Sequence, residues 1–319
     1  MRRILSMIER IWFIAAILLM LNSLPSLAAQ GQPSGQAKKS EPAKPGVVGS
    51  KTCESCHEAT MKNLGKTTMG RIFLKHPRSA MEEMACETCH GPGEDHANSE
   101  GSEFGEMIRF QKGAPTPVEK QNTACFQCHE KKKLLFWSGS PHEGRDVACI
   151  SCHKVHPESD GISNRYLLAK PSQTDVCGQC HKQQAAQQMR FSHHPLREEK
   201  MQCSSCHNPH GTSSAKLLKA NSINDLCYGC HMEKRGPFLF EHPPVMEECS
   251  NCHTAHGSNY PRLLKVPVFR VCRQCHINFH SLDTTGLSPG HVAGRLCTDC
   301  HTNIHGSNHP TGRGRLFLR

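Results

Sequence analysis

Only one stretch of the chain is continuously apolar, Ile11–Leu21, and it sits near the N-terminus beside Arg2, Arg3 and Arg10. Eleven residues of helix reach about 17 Å, well short of the roughly 30 Å hydrocarbon core of a bilayer. Small residues follow at Ser26-Leu27-Ala28, so residues 1–28 read as a cleaved secretory signal peptide. The first cysteine is Cys53, which leaves no lipidation cysteine near the cleavage point. Residues 29–50 are rich in Pro, Gly, Ser, Lys and Gln, cannot bury enough apolar surface to order themselves, and predict a flexible leader.

From residue 51 to 319 the apolar positions change character. No segment alternates as a strand would, and frequent Gly and Pro break the chain into loops. Short helices are expected around the motifs described below. Leu pairs recur before the next cysteine, as at Leu167-Leu168, Leu217-Leu218 and Leu263-Leu264, and read as small apolar plugs. Aromatic residues make up only 5% of the 319 positions, so Leu, Ile, Val and Phe alone cannot fill a conventional interior. The net charge of +10 is spread in ones and twos. Its densest run, Lys131-Lys132-Lys133, has no interleaved aromatics, and no nucleic-acid partner is expected.

The cysteines decide the class. All 20 fall in C-x-x-C-H motifs: Cys53 with Cys56, Cys86 with Cys89, Cys125 with Cys128, Cys149 with Cys152, Cys177 with Cys180, Cys203 with Cys206, Cys227 with Cys230, Cys249 with Cys252, Cys272 with Cys275, and Cys297 with Cys300. They are closed by His57, His90, His129, His153, His181, His207, His231, His253, His276 and His301. Two thiols at this spacing reach the two vinyl groups of one haem, and the adjacent imidazole lies under its iron. Disulfide frameworks and zinc knuckles do not require a histidine after every second cysteine. Ten covalently attached haem c groups are therefore expected. Their propionates would balance many of the lysines and arginines.

The remaining histidines keep a register. After each odd-numbered motif one follows 11 to 19 residues beyond the proximal histidine: His76, His142, one of His193-His194, His242 and His291. After each even-numbered motif one follows within three to six: His96, His156, His210, His256 and His305. That gives ten candidate distal ligands for ten irons, with His280, His309 and one of His193 and His194 to spare. A histidine three residues beyond its proximal neighbour projects to the same side and cannot take the opposite axial position. His210 is accordingly expected to reach a neighbouring haem. The pattern makes five dihaem repeats. The fold class that follows is a multihaem cytochrome c, with short α-helices and irregular loops wrapped around an elongated stack of ten haems and little or no β-sheet. No motif lacks a candidate distal histidine and none ends in Lys, so an electron carrier without its own substrate site is favoured over a multihaem reductase.

Phe191-Ser-His-His-Pro195 leading into CSSCHNPHG (203–211), and RGPFLFEHPP (235–244) leading into CSNCHTAHG (249–257), carry a family resemblance. The chain resembles the periplasmic decahaem cytochromes of the MtrA/DmsE type from about residue 51 to residue 305. That resemblance implies a periplasmic haem wire in extracellular electron transfer or anaerobic respiration. It further implies inner-membrane or periplasmic cytochrome donors, an outer-membrane β-barrel porin as partner, and an extracellular multihaem cytochrome or reductase beyond it.

Overall fold

A computed structural model describes residues 45–130, 134–157, 166–277, 295–311 and 316–318. The expected signal peptide, most of the leader, Lys131–Lys133, His280 and His291 lie outside the described residues. Among the described residues no helix is long and apolar enough to cross a membrane.

The elements are short helices and single turns, and β-structure amounts to isolated bridges. The odd motifs lie on helices that begin upstream of them. The first is Ser50–Lys66, whose helical geometry breaks at His57. The others are Val118–His129, Gln173–Gly178, Ile223–Tyr228 and Val268–Arg273. Local chemistry sets their starts. The hydroxyls of Ser172 and Ser222 accept from the Asp175 and Asp225 amides (both 3.0 Å), and Pro117 and Pro267 precede the helices at Val118 and Val268. The even motifs each form a turn of their own, at Cys86–His90, Cys149–Ser151, Cys203–Cys206, Cys249–Asn251 and Cys297–Cys300.

From the fourth motif onward the closing histidine amide donates to the carbonyl of the first cysteine. Examples are His153 to Cys149 at 3.0 Å and His231 to Cys227 at 2.9 Å. One helical turn thus places the first cysteine and the histidine, four residues apart, on one face. That arrangement is what attachment of a single planar group requires.

Two findings modify the sequence expectations. The leader expected to run to residue 50 is tied down at its end: the Val48 and Gly49 amides donate to the Glu87 carboxylate at 3.0 and 2.8 Å. The Leu pairs act through their backbone. Lys154, Asn208 and Thr254 donate their amides to the carbonyls of Leu167, Leu217 and Leu263, closing bridges between each even motif and the Leu pair behind it. Leu167, Leu217 and Leu263 adopt positive φ to do so.

The interior made by protein alone is thin. The buried apolar side chains among the described residues are Leu64, Ala85, Ala124, Trp137, Ala148 and Val176, while Phe191 and Ile277 are each 79% exposed. Trp137 Nε1 and the Tyr228 hydroxyl are buried without a hydrogen-bond partner, a state buried donors rarely keep. A large apolar group with polar substituents fits both facts.

Candidate haem sites

No two of the 20 cysteine sulfurs are bonded to one another. Nor do three or more His, Cys, Asp or Glu gather to hold a bare metal ion among the described residues. What the structure assembles instead is pairs of histidines.

Five near histidines each face a proximal histidine of an earlier motif. His96 faces His57, with ring centres 6.3 Å apart and planes 10° from parallel, and His156 faces His90 at 6.1 Å and 14°. His210 faces His153 at 6.0 Å and 17°, His256 faces His207 at 6.1 Å and 15°, and His305 faces His253 at 6.2 Å and 18°. Two metal–nitrogen bonds of about 2.0 Å plus two ring radii span roughly 6 Å, so one iron fits between each pair. From the fourth motif onward, the near histidine of an even motif meets the proximal histidine of the previous even motif. The long-spaced histidines follow a second rule, in the opposite direction: each meets the proximal histidine of the next odd motif. His142 meets His181 edge-on, at 6.2 Å and 66°, and His242 faces His276 at 6.2 Å and 23°.

The second ring nitrogen fixes the tautomer. Nδ1 of His90, His153, His207, His253 and His301 donates to the carbonyls of Ile108, Tyr166, Lys216, Arg262 and Leu316, at 2.6 to 3.0 Å. Such a bond leaves Nε2 as the metal-facing nitrogen, holds the ring's orientation and raises its basicity. These carbonyls escaped sequence reasoning because a backbone oxygen has no residue signature. Leu316–Leu318 turns out to be a further copy of the brace, with Asn303 donating its amide to the Phe317 carbonyl at 3.0 Å.

The long-spaced histidines of the odd motifs donate across to the even series. Nδ1 of His142 reaches the Pro209 carbonyl and that of His194 the Ala255 carbonyl, both at 2.8 Å. His242 repeats the placement, its buried Nδ1 facing the Ile304 carbonyl without closing a full hydrogen bond. Each acceptor immediately precedes a distal histidine of the even series: His210, His256 or His305.

His193 is engaged differently. Its Nδ1 donates to the Arg190 carbonyl at 2.7 Å and its Nε2 meets the Glu198 carboxylate at 3.2 Å. Of the two adjacent histidines left open by the sequence, His194 keeps Nε2 available and His193 does not. His309 turns to Thr311, whose hydroxyl lies 2.8 Å from its Nδ1. The rings of His76, His129, His194 and His231 are not brought face to face with another histidine among the described residues.

Burial pushes the pKa of His90, His156, His242 and His256 down, and that of His305 to about 4. All five are neutral imidazoles near pH 7, the form that binds metal. Burial likewise raises the Cys86 and Cys89 thiols to about 11, which keeps them protonated and poor partners in disulfide exchange.

The cysteines order the sites. Within each repeat the first cysteines touch: Cys53 with Cys86, Cys125 with Cys149, Cys177 with Cys203, Cys227 with Cys249, and Cys272 with Cys297. Between repeats the second cysteines come into electrostatic reach: Cys89 and Cys128, Cys152 and Cys180, Cys206 and Cys230, Cys252 and Cys275. The ten motifs therefore run in sequence order, through alternating first-cysteine and second-cysteine junctions.

The 20 cysteines differ in exposure. Every first cysteine is half-buried, whereas Cys56, Cys128, Cys180, Cys230, Cys275 and Cys300 are exposed. Cys56 is exposed like the second cysteines of the other odd motifs. Its sulfur accepts from the hydroxyl of Ser55, its own neighbour, at 3.8 Å. Cys300 is the one exposed second cysteine among the even motifs.

Comparison with known proteins agrees with this chemistry. The chain is 42% identical over 277 residues to the multiheme cytochrome MtrA of Shewanella baltica, covering 83% of this chain and 80% of that protein. It belongs to the MtrA family of multihaem c-type cytochromes. The doubled CXXCH motif family matches residues 193–236 and 242–280, the NrfB-like cytochrome c-type family residues 86–167, and the cytochrome c554 and c-prime family residues 22–91. The cytochrome c-type protein NrfB of Haemophilus influenzae is 28% identical over 132 residues, 38% of this chain and 54% of that protein. As a member of the MtrA family the chain binds haem c and transfers electrons.

Proposed function

We propose that this chain carries ten haem c groups, each held by two histidines, and passes electrons along them in motif order as a periplasmic wire. The observation that carries the reading is the interleaved pairing of histidines, exemplified by His153 with His210 and His181 with His142. Bound haem supplies a one-electron Fe(III)/Fe(II) couple at each pair.

Everything else falls to the chain's own residues. The paired cysteines, from Cys53 and Cys56 through to Cys297 and Cys300, fix each cofactor covalently as thioethers. The proximal set His57, His90, His129, His153, His181, His207, His231, His253, His276 and His301 supplies one axial nitrogen each. The partner set follows from the two pairing rules. His96, His156, His210, His256 and His305 serve His57, His90, His153, His207 and His253, while His142 and His242 serve His181 and His276. Extending the odd rule assigns His76 to His129 and His194 to His231, leaving His291 for His301. Nδ1–H bonds to backbone carbonyls make the imidazoles better donors, and His/His ligation lacks the Met that raises the potential of ordinary cytochromes c. The buried donors Trp137 Nε1 and Tyr228 OH suit propionate oxygens. With two histidines assigned to each haem, no iron would be left to bind a substrate, and the chain would work as a carrier rather than an enzyme.

In this reading the signal peptide delivers the chain to the periplasm. There it takes electrons from, or returns them to, inner-membrane or periplasmic cytochromes, and it meets an extracellular multihaem cytochrome or reductase through an outer-membrane β-barrel porin. Liposomes containing an outer-membrane β-barrel porin from the same organism, with an internal reduced viologen, test the conduit. External Fe(III) should oxidise the dye only when both the barrel and this cytochrome are present. Equal oxidation with the barrel alone, or none with both, would overturn the conduit role.

A further inference from the structure

The two motifs of a repeat are joined by more than packing. Asn122 lies on the helix Val118–His129, three residues before Cys125 and on the same face. Its Oδ1 accepts from the Cys149 amide at 2.9 Å and its Nδ2 donates to the Val147 carbonyl at 3.2 Å. Asn224 repeats this three residues before Cys227. Its Oδ1 accepts from the Cys249 amide at 2.7 Å, and its Nδ2 faces the carbonyls of Val245 and Met246 at 3.0 and 3.1 Å. In the third repeat Gln173, four residues before Cys177, accepts from the Ser204 amide at 2.9 Å and donates to the Gln202 side chain at 3.0 Å.

In the first repeat the polarity of the link is reversed. Glu87, inside the second motif, accepts from Val48 and Gly49 just before the first motif, and from Gly93 at 2.9 Å. Four repeats thus contain a side chain from one motif that reads the backbone at or beside the start of the other. None of these side chains ligates iron or forms a thioether. Asn122 and Glu87 are buried, so these bonds are sheltered from water.

Each link sits where the first cysteines of a repeat meet, so it borders the attachment points of both cofactors of that repeat. A slip of about one ångström at that junction would change the cofactor spacing while leaving every axial ligand in place. Packing alone does not set that distance sharply, whereas paired hydrogen bonds to a fixed amide do.

We propose that Asn122, Gln173, Asn224 and, with reversed polarity, Glu87 are positioning residues that set the electronic coupling between the two haems of their repeats. The proposal rests on the ten-haem reading above. It predicts that removing a link weakens one junction without changing haem number, spin state or axial ligation.

The test compares the wild-type holoprotein with Asn224→Leu, which keeps the shape and removes the bonds, and with Asn224→Asp, which keeps the acceptor for the Cys249 amide. The readouts are intact mass, the low-spin ferric spectrum, haem–haem magnetic coupling in electron paramagnetic resonance, and electron redistribution after flash photoreduction. The expected result for Asn224→Leu is an unchanged mass and low-spin spectrum, weakened coupling of one pair, and one redistribution phase slowed several-fold. Asn224→Asp should recover much of that phase. Gln173→Leu, at a more exposed link, should give the same pattern in the third repeat. Wild-type coupling and kinetics in a fully loaded Asn224→Leu or Gln173→Leu protein would overturn the proposal. So would loss of haem from both variants, which would place the amides in assembly instead. A wild-type protein carrying fewer than ten haems would instead contradict the ten-haem reading itself, so the two failures are distinguishable.

Discussion

His210 stands ring to ring with His153, 6.0 Å away, and not with His207 three residues before it. In the proposed assignment the distal ligand of one site would therefore be delivered by the chain segment that carries the next even site. Each iron would join two parts of the sequence, and the cofactors would act as cross-links as well as redox centres. Removal of one distal histidine should accordingly be felt at a distant motif. In His256→Ala all haems should stay attached, and one iron should become high-spin and bind carbon monoxide. Peptide mapping should place the reactive haem on Cys203–His207, the partner seen across from His256. Carbon monoxide binding equal to wild type would remove His256 from the ligand set.

The adjacent pair His193 and His194 offers an internal control. His193 has both nitrogens engaged by Arg190 and Glu198, whereas His194 spends only Nδ1, on Ala255. His194→Ala should yield one high-spin iron by magnetic circular dichroism. His193→Ala should leave every iron low-spin. The opposite outcome would exchange their roles.

The glycine after each of two near histidines, His210 and His256, is fixed by crowding. A Cβ on Gly257 (φ 150°) would lie 2.0 Å from the Gln187 carbonyl oxygen, and one on Gly211 (φ 110°) would lie 1.8 Å from that of Phe136. Gly257→Ala should cost about 3 kcal/mol or more, through backbone strain and displacement of its neighbours. Gly113, also at positive φ (77°) but with nothing near its Cβ position, should cost only about 1 kcal/mol as Ala. Thermal unfolding followed by haem absorbance would rank the two. Equal loss would mean that the close approach at Gly257 does not exist.

Acid should release the buried histidine ligands in a defined window. Burial lowers the folded-state pKa of His90, His156, His242, His256 and His305, the last to about 4, from an ordinary 6.5. The unfolded chain therefore binds protons first as pH falls. Stability should be complete above about pH 6.5 and decline progressively toward pH 4. Iron binding opposes protonation and shifts the loss further toward acid. A Soret-monitored titration should show low-spin absorbance held at neutral pH and lost on the acid side. Loss on the alkaline side instead would contradict this account of the buried imidazoles.

Much of this was legible in the sequence, for a chemical reason. A thioether-bound cofactor needs two thiols and an imidazole within one turn, so Cys149, Cys152 and His153 announce their site locally. The His-Gly pairs 210–211 and 256–257 are equally visible, because only glycine fits the approach. The pairings were not legible, since spacing along the chain says nothing about which distant ring His142 will face. For the same reason the motif alone does not tell Cys56, exposed beside Ser55, from Cys89, which faces the next repeat. The braces were hidden for another reason: Tyr166, Lys216, Arg262 and Leu316 contribute only backbone oxygens, which any residue supplies. The Leu pairs drew attention as apolar plugs, when their backbone turn is what the proximal histidines use. Asn122 and Asn224 carry no signal at all until Cys149 and Cys249 are brought against them.

In the proposed wire every iron would be held by two histidines from this chain. Electron paramagnetic resonance of the fully oxidised protein, integrated against haem content from intact mass, tests it most directly. The account predicts ten covalent haems and ten low-spin ferric irons per chain, with no high-spin signal. A high-spin component equivalent to one iron or more, in undamaged protein with all its haems attached, would contradict it.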